Sequence, residues 1–115
     1  MKKVYFLSTC STCQRIMNDL KLDGFVQQDI KHEKITPAQL NEMKERAGSY
    51  EALFSRRAMK YKAMGLAQKE LTEKDYQQLI LDEYTFLKRP VFVVDNDIYI
   101  GNAAATIEKL KKRLS

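Results

Sequence analysis

The chain has 115 residues, 44% of them hydrophobic and 30% charged, which suits one soluble folded domain and excludes both a disordered chain and a small disulfide-stapled one. Its apolar runs, such as Val4–Leu7 and Val91–Val94, fall far short of the roughly 20 residues that a membrane helix needs, so no membrane association is expected. The formal charge of +5, from 20 Lys and Arg against 15 Asp and Glu, is spread along the sequence and reads as a solvated surface; it would suit an anionic substrate or an acidic partner, with no direct nucleic-acid binding expected.

No apolar leader follows Met1-Lys2-Lys3, so a cytoplasmic protein is expected. Val4–Leu7 is a β-branched and aromatic run that predicts a buried strand, ending in a turn at Ser8, Thr9 and Cys10. A helical pattern starts at Ser11, with Ile16, Met17 and Leu20 on one face and Gly24 just past its end as a C-cap. Phe25–Ile30 predicts a second strand. The chain therefore opens β-α-β, with its two cysteines at the strand-to-helix junction.

Thr36-Pro37-Ala38-Gln39 signals another helix, with Thr36 as N-cap, Pro37 at the first helical position and Gln39 completing a capping box. Leu40, Met43 and Ala47 form its apolar face, and Gly48 ends it. Tyr50–Phe54 and Ala58–Met64 predict two short helices, the second closed by Gly65. Thr72, with Asp75 three residues on, starts a further helix that buries Tyr76, Leu79, Ile80 and Tyr84. Val91–Val94 predicts a strand, Asp95-Asn96-Asp97 a turn and Ile98–Ile100 the returning strand of a hairpin. A last helix turns Ile107, Leu110 and Leu114 inward. The order β-α-β, helical middle, β-β-α describes an α/β domain.

Cys10-Ser11-Thr12-Cys13 is a C-x-x-C pair opening a helix. Thiolate is the reactive form of cysteine, and the unpaired N–H groups and positive dipole end of a helix N-terminus stabilise it. Cys10, at the cap, receives most of that effect and is the expected nucleophile. Cys13 lies one turn inside on the same side, placed to act as a resolving thiol. A zinc site needs about four ligands, and apart from this pair the chain offers only His32 and carboxylates, so no metal is expected. Buried, inert thiols are the other reading of the pair.

Two further features bear on chemistry. Arg89-Pro90 precedes the third strand, and X-Pro is the common site of a cis bond; residue types alone leave cis and trans open. In Ser55-Arg56-Arg57 the arginines read as solvated helix residues, while planar guanidinium groups are also what bidentate oxyanion binding needs. Arg15, in the cysteine helix, is another cation near the pair. His32 lies in the polar run Lys31–Lys34 and reads as a surface residue.

Together these residues resemble the arsenate reductase (ArsC)/Spx/MgsR family over essentially the whole chain. The resemblance is carried by Cys10-Ser11-Thr12-Cys13-Gln14-Arg15 after a strand, by Phe54-Ser55-Arg56-Arg57-Ala58 with Tyr61 and Met64-Gly65-Leu66, and by Leu87-Lys88-Arg89-Pro90-Val91-Phe92-Val93. It implies a thioredoxin-like fold with a mixed four-stranded sheet, one domain spanning residues 1–115 and a helical insertion at roughly 36–86. It also implies a nucleophile at Cys10 and a cis peptide at Pro90. Arg89 matches the arginine that helps bind the oxyanion, and Arg57 matches the middle arginine of the Spx-like branch; Arg56 and Arg15 are the neighbouring candidates for substrate binding.

The resemblance implies a thiol-dependent oxidoreductase like the glutathione/glutaredoxin-linked arsenate reductases. Its substrate would be a small oxyanion or thiol, with no bound cofactor, glutathione as co-substrate and a glutaredoxin or thioredoxin system as partner. The alternative is an Spx-like redox-sensing transcriptional regulator that binds the RNA polymerase α subunit, the branch to which Cys13 points. A monomer is expected in either case. Four positions depart from the arsenate reductase pattern: Phe6 stands for a histidine, and Gln14, Ser55 and Gly101 stand for arginines. These departures weigh against arsenate as the substrate.

Overall fold

The computed structural model describes residues Met1–Ser115. Two compact units divide the chain: Met1–Lys34 with Arg89–Ser115, and the intervening Ile35–Lys88.

The first unit contains all four strands. They are β1 (Lys2–Phe6), β2 (Val26–Asp29), β3 (Val91–Val94) and β4 (Asp97–Ile100), with the helix α1 (Ser11–Asn18) between β1 and β2. The order across the sheet is β2-β1-β3-β4. β1 runs parallel to β2 and antiparallel to β3, and β3 runs antiparallel to β4. A helix crossover is what a parallel pair requires, and the tight turn at Asp95 and Asn96 is what an antiparallel pair permits. The C-terminal helix Ala104–Leu114 returns to the sheet. This is a thioredoxin-like α/β fold with a mixed four-stranded sheet.

Val4, Phe92 and Val94 form a core with Ile16 of α1 and Leu110 of the last helix. All four residues of β3 are buried, as suits one of the two inner strands of the sheet. The N-terminal ammonium bonds to Asp95 Oδ1 at 2.7 Å, and Arg113 reaches Asp95 and Asp97, so the chain start and the last helix both tie to the hairpin turn.

One boundary differs from the sequence reading. The cysteine helix stops at Asn18, well before Gly24. The Asp19 N–H is shared between Arg15 and Ile16 carbonyls, and Leu20 bonds back only to Met17, a tightening typical of a helix end. Gly24 instead occupies the Leu22–Phe25 turn with φ of 81°, where a side chain is disfavoured. Leu20, Leu22 and Phe25 still pack on the core from this irregular segment, which explains their helix-like apolar pattern.

The second unit is helical. It holds α2 (Pro37–Ala47), α3 (Met59–Ala63) and α4 (Glu73–Asp82), with 3-10 turns at Glu51–Leu53, Leu66–Gln68 and Tyr84–Phe86. The last helix of the chain, in the first unit, is therefore α5. The expected capping box of Thr36 with Gln39 forms, and at the expected start of α4 Thr72 makes another with Asp75. Gly48 ends α2 with φ of 95°. Phe54 is fully buried, stacked on Phe86 at 5.1 Å and touching the Tyr76 and Tyr61 rings. A bridge pairs Phe54 with Leu87, and the Glu73 carboxylate accepts the N–H groups of Tyr50 and Glu51. Tyr76 and Ile80 are buried as expected, whereas Leu79 is only partly so, and Tyr84, also partly buried, lies beyond the end of α4 in the 3-10 turn that follows.

Candidate active site

The site begins where β1 leaves the sheet. Leu7 is buried, and the chain turns so that the Cys10 N–H bonds to the Leu7 carbonyl at 3.0 Å. Cys10 then stands in extended conformation (φ −93°, ψ 110°) as N-cap of α1, and its carbonyl accepts the Gln14 N–H. The first turn of α1 carries no acidic residue, so no charge within the helix itself offsets the positive end of its dipole.

The two sulfurs experience different surroundings. Cys10 is partly exposed and Cys13 is fully buried, and neither is in a disulfide. Burial works against ionisation of Cys10. It is outweighed by the Cys13 N–H, the Cys13 thiol, the Arg89 charge and the Thr12 N–H, which together hold the Cys10 thiol below the ordinary value of 9.0. No conventional capping hydrogen bond reaches the sulfur; these N–H groups act as weak donors that favour its anionic form. Cys13 moves the other way. Burial, aided by the facing Cys10, pushes it up to about 11, against the opposing Leu7 N–H and Arg89 charge. At neutral pH Cys10 is the thiol nearer ionisation and Cys13 the proton holder.

Arg89 and Pro90 complete this cluster from the segment entering β3. The Arg89–Pro90 peptide bond is cis, Pro90 is buried, and its carbonyl accepts the Gly101 N–H at 2.9 Å. Arg89 is half-buried. Cys10, Cys13 and Arg89 are thus brought together within one unit.

A model of the ArsC family matches residues 5–110. The chain belongs to the ArsC family. Among solved structures similar to this ArsC-family protein, the YffB (PA3664) protein is 18% identical with a TM-score of 0.81, and each chain is covered at 100%. The arsenate reductase from Vibrio cholerae is 16% identical with a TM-score of 0.74, covering 99% of this chain and 97% of that one. SACOL0876 from Staphylococcus aureus COL is 23% identical with a TM-score of 0.76, covering 95% and 97%. At these identities the likeness is one of fold. A comparison with curated protein sequences gives no match.

The other candidate residues of this ArsC-family protein are not among the groups that shift either thiol. Arg15 is exposed on α1 and does not figure among the groups acting on either sulfur. Arg56 and Arg57 belong to the second unit, in an irregular turn before α3 rather than in a helix. Arg56 bonds to Glu51 Oε2 at 2.7 Å and to the Tyr76 hydroxyl at 3.1 Å, and it lies over the Tyr76 ring. Arg57 is exposed. Two departures from the arsenate reductase pattern have structural uses: Phe6 packs against the core, and the Gln14 side chain donates to the Ser8 carbonyl at 3.2 Å.

Asp29 was not singled out by sequence reasoning. It ends β2, and its Oδ1 accepts the Ser8 N–H at 3.2 Å, immediately upstream of Cys10. No local pattern announces this contact, because 21 residues separate the partners. His32 is exposed, as the sequence suggests, yet its Nε2 lies 3.7 Å from Asp29 Oδ2.

Proposed function

We propose that this protein is a thiol-dependent oxidoreductase resembling the glutathione/glutaredoxin-linked arsenate reductases, with Cys10 as nucleophile and Cys13 as resolving thiol. The observation that carries the reading is the opposite poise of two neighbouring thiols, Cys10 lowered and partly exposed, Cys13 raised and buried. A nucleophile must be ionised and reachable, whereas a resolving thiol should stay protonated until its turn.

With a disulfide or glutathione adduct, the Cys10 thiolate attacks one sulfur, forms a mixed disulfide and expels the other sulfur as a thiolate. Cys13 then loses its proton and attacks the Cys10 sulfur. This releases the remaining substrate thiolate and leaves a Cys10–Cys13 disulfide; the substrate has gained the two electrons that the pair has lost. Glutathione, directly or through a glutaredoxin or thioredoxin system, returns two electrons and two protons. With arsenate, Cys10 would form a sulfur–arsenic bond as an arsenate oxygen leaves as water. A second thiol, Cys13 or glutathione, would then attack the Cys10 sulfur, and arsenic would depart reduced by two electrons. Arg89 stabilises the anionic group opposite Cys10. Arg57 is a second candidate for anion binding, carried by the family resemblance and by its exposure. The paired free thiols suit a reducing, cytoplasmic compartment.

The test is turnover of arsenate, supplied with glutathione and glutaredoxin, and of a glutathione mixed disulfide, supplied with glutathione alone, each measured above the rate without the protein. Consumption of either that disappears in Cys10→Ser supports the reading, and turnover that survives the substitution overturns it. The Spx-like regulator is a second reading, favoured by the presence of Cys13. It requires that purified RNA polymerase α subunit bind the reduced and oxidised forms differently.

A further inference from the structure

Three peptide planes separate buried Leu7 from Cys10, and each is held. The Leu7–Ser8 plane has its carbonyl bonded by the Cys10 N–H at 3.0 Å and its N–H bonded to Asp29 Oδ1 at 3.2 Å. The Ser8–Thr9 plane has its carbonyl bonded by Gln14 Nε2 at 3.2 Å. The Thr9–Cys10 plane is fixed by its own N–H to Leu7. Two of these anchors are side chains from different elements, Asp29 at the end of β2 and Gln14 in α1.

Asp29 is itself fixed. Its carbonyl accepts the N–H groups of His32 at 3.1 Å and Glu33 at 2.8 Å, and its Oδ1 also accepts the Lys31 N–H at 3.2 Å. Its side chain is 17% exposed, against 73% for His32 beside it. Parallel pairing of Phe6 with Asp29 sets the carboxylate beside the chain leaving β1. Burial opposes ionisation of Asp29, but the Ser8 hydroxyl and N–H, the Lys31 N–H and His32 keep it lowered and charged. A charged acceptor makes the stronger, better-directed hydrogen bond.

We propose that Asp29 and Gln14 form a two-sided clamp on Ser8 that positions Cys10 at the head of α1, making Asp29 a positioning residue for the nucleophile. The proposal rests on the reading of Cys10 as the working thiolate. The Thr12 and Cys13 N–H groups favour the anion only while the sulfur faces them, and that depends on how the chain enters the helix. Three residues, Ser8 to Cys10, allow little slack between a buried strand and a helix cap. Release of either side of Ser8 lets this turn relax and carries the sulfur away from its donors. A carboxylate placed near a thiolate for its charge would have the opposite effect, because like charge disfavours ionisation. The two roles are therefore separable by sign. The titratable and charged groups acting on the sulfur are the protonated Cys13 thiol and Arg89, and the one acting on Asp29 is His32, beside the neutral donors already named.

The experiment is the pH dependence of iodoacetamide alkylation at Cys10, assigned by mass spectrometry, in the wild type, Asp29→Ala, Asp29→Asn and Gln14→Ala. Clamping predicts that Asp29→Ala and Gln14→Ala raise the Cys10 midpoint, by as much as about one unit for Asp29→Ala, which is about tenfold slower alkylation below the midpoint. Asp29→Asn keeps a carbonyl acceptor for Ser8 and should restore most of the wild-type profile, which a simple loss of charge would not do. Unchanged midpoints in folded Asp29→Ala and Gln14→Ala overturn the clamp, as does a lowered midpoint in Asp29→Ala and Asp29→Asn alike. If Asp29→Ala does not fold, exposed Gln14→Ala decides. A wild-type Cys10 that titrates like an ordinary thiol contradicts the functional reading before any variant is compared.

Discussion

Arg56 and Arg89 carry the same guanidinium group and sit in opposite kinds of surroundings. In the helical unit, Arg56 faces the Glu51 carboxylate, the Tyr76 hydroxyl and the Tyr76 ring. Its charge is balanced by a carboxylate of the protein at the surface, and it joins the turn before α3 to buried Tyr76 of α4. In the sheet unit, Arg89 stands beside a cis proline with a thiol sulfur within its field, and its charge favours the anionic form of that sulfur. The contrast shows that a guanidinium's neighbours, more than its residue type, decide which group its charge acts on. A carboxylate already in place competes with any substrate for the same donors.

The largest expected effect removes the centre of the sheet-unit cluster. Cys10→Ser should abolish rapid alkylation and all turnover, since serine has no comparably acidic nucleophile; mass-spectrometric site assignment and the reductase assay check this. Next, Arg89→Gln should raise the Cys10 midpoint and slow alkylation about tenfold below it, if the charge is worth about one unit. An unchanged pH profile would break the contrast between the two arginines. Arg56→Gln is expected to act on stability instead, costing up to about 1 kcal/mol in urea denaturation, because its ion pair is largely solvated.

The effect that vanishes at neutral pH is the titration of Cys13, and it has a defined sign. Its thiol is raised to about 11 in the folded protein, against 9.0 for an ordinary thiol. The folded state therefore binds the proton more tightly, and that stabilisation is complete below pH 9 and lost as pH rises through 11. Cys10, lowered on folding, works in the opposite sense, its contribution being present above 9 and lost as pH falls through its folded value. Wild-type protein should lose more stability between pH 8 and 11 than Cys13→Ser does, measured by urea midpoints at each pH. Parallel curves would contradict the buried, protonated Cys13.

Much of this was legible locally. The capping boxes at Thr36 and Thr72, the apolar run Val91–Val94 and the position of Cys10 at a helix start all follow from short-range rules, and the structure contains each. The end of α1 was not, because Leu20 and Leu22 continue an apolar pattern that serves the core from an irregular segment. Residue types alone do not separate Arg56 from Arg89, although the family resemblance singles out Arg89: Tyr76, which holds Arg56, and Cys10, within the field of Arg89, lie far away along the chain. Asp29 was missed for the same reason. Its contact with Ser8 depends on the parallel pairing of β1 with β2, a tertiary fact without a local signature.

The most direct test of the account is the alkylation rate of each cysteine in the wild-type protein as a function of pH. Cys10 is expected to react with a midpoint below 9.0, and Cys13 to follow only at far higher pH, near 11. Equal midpoints for the two thiols, or Cys13 reacting first, would contradict it.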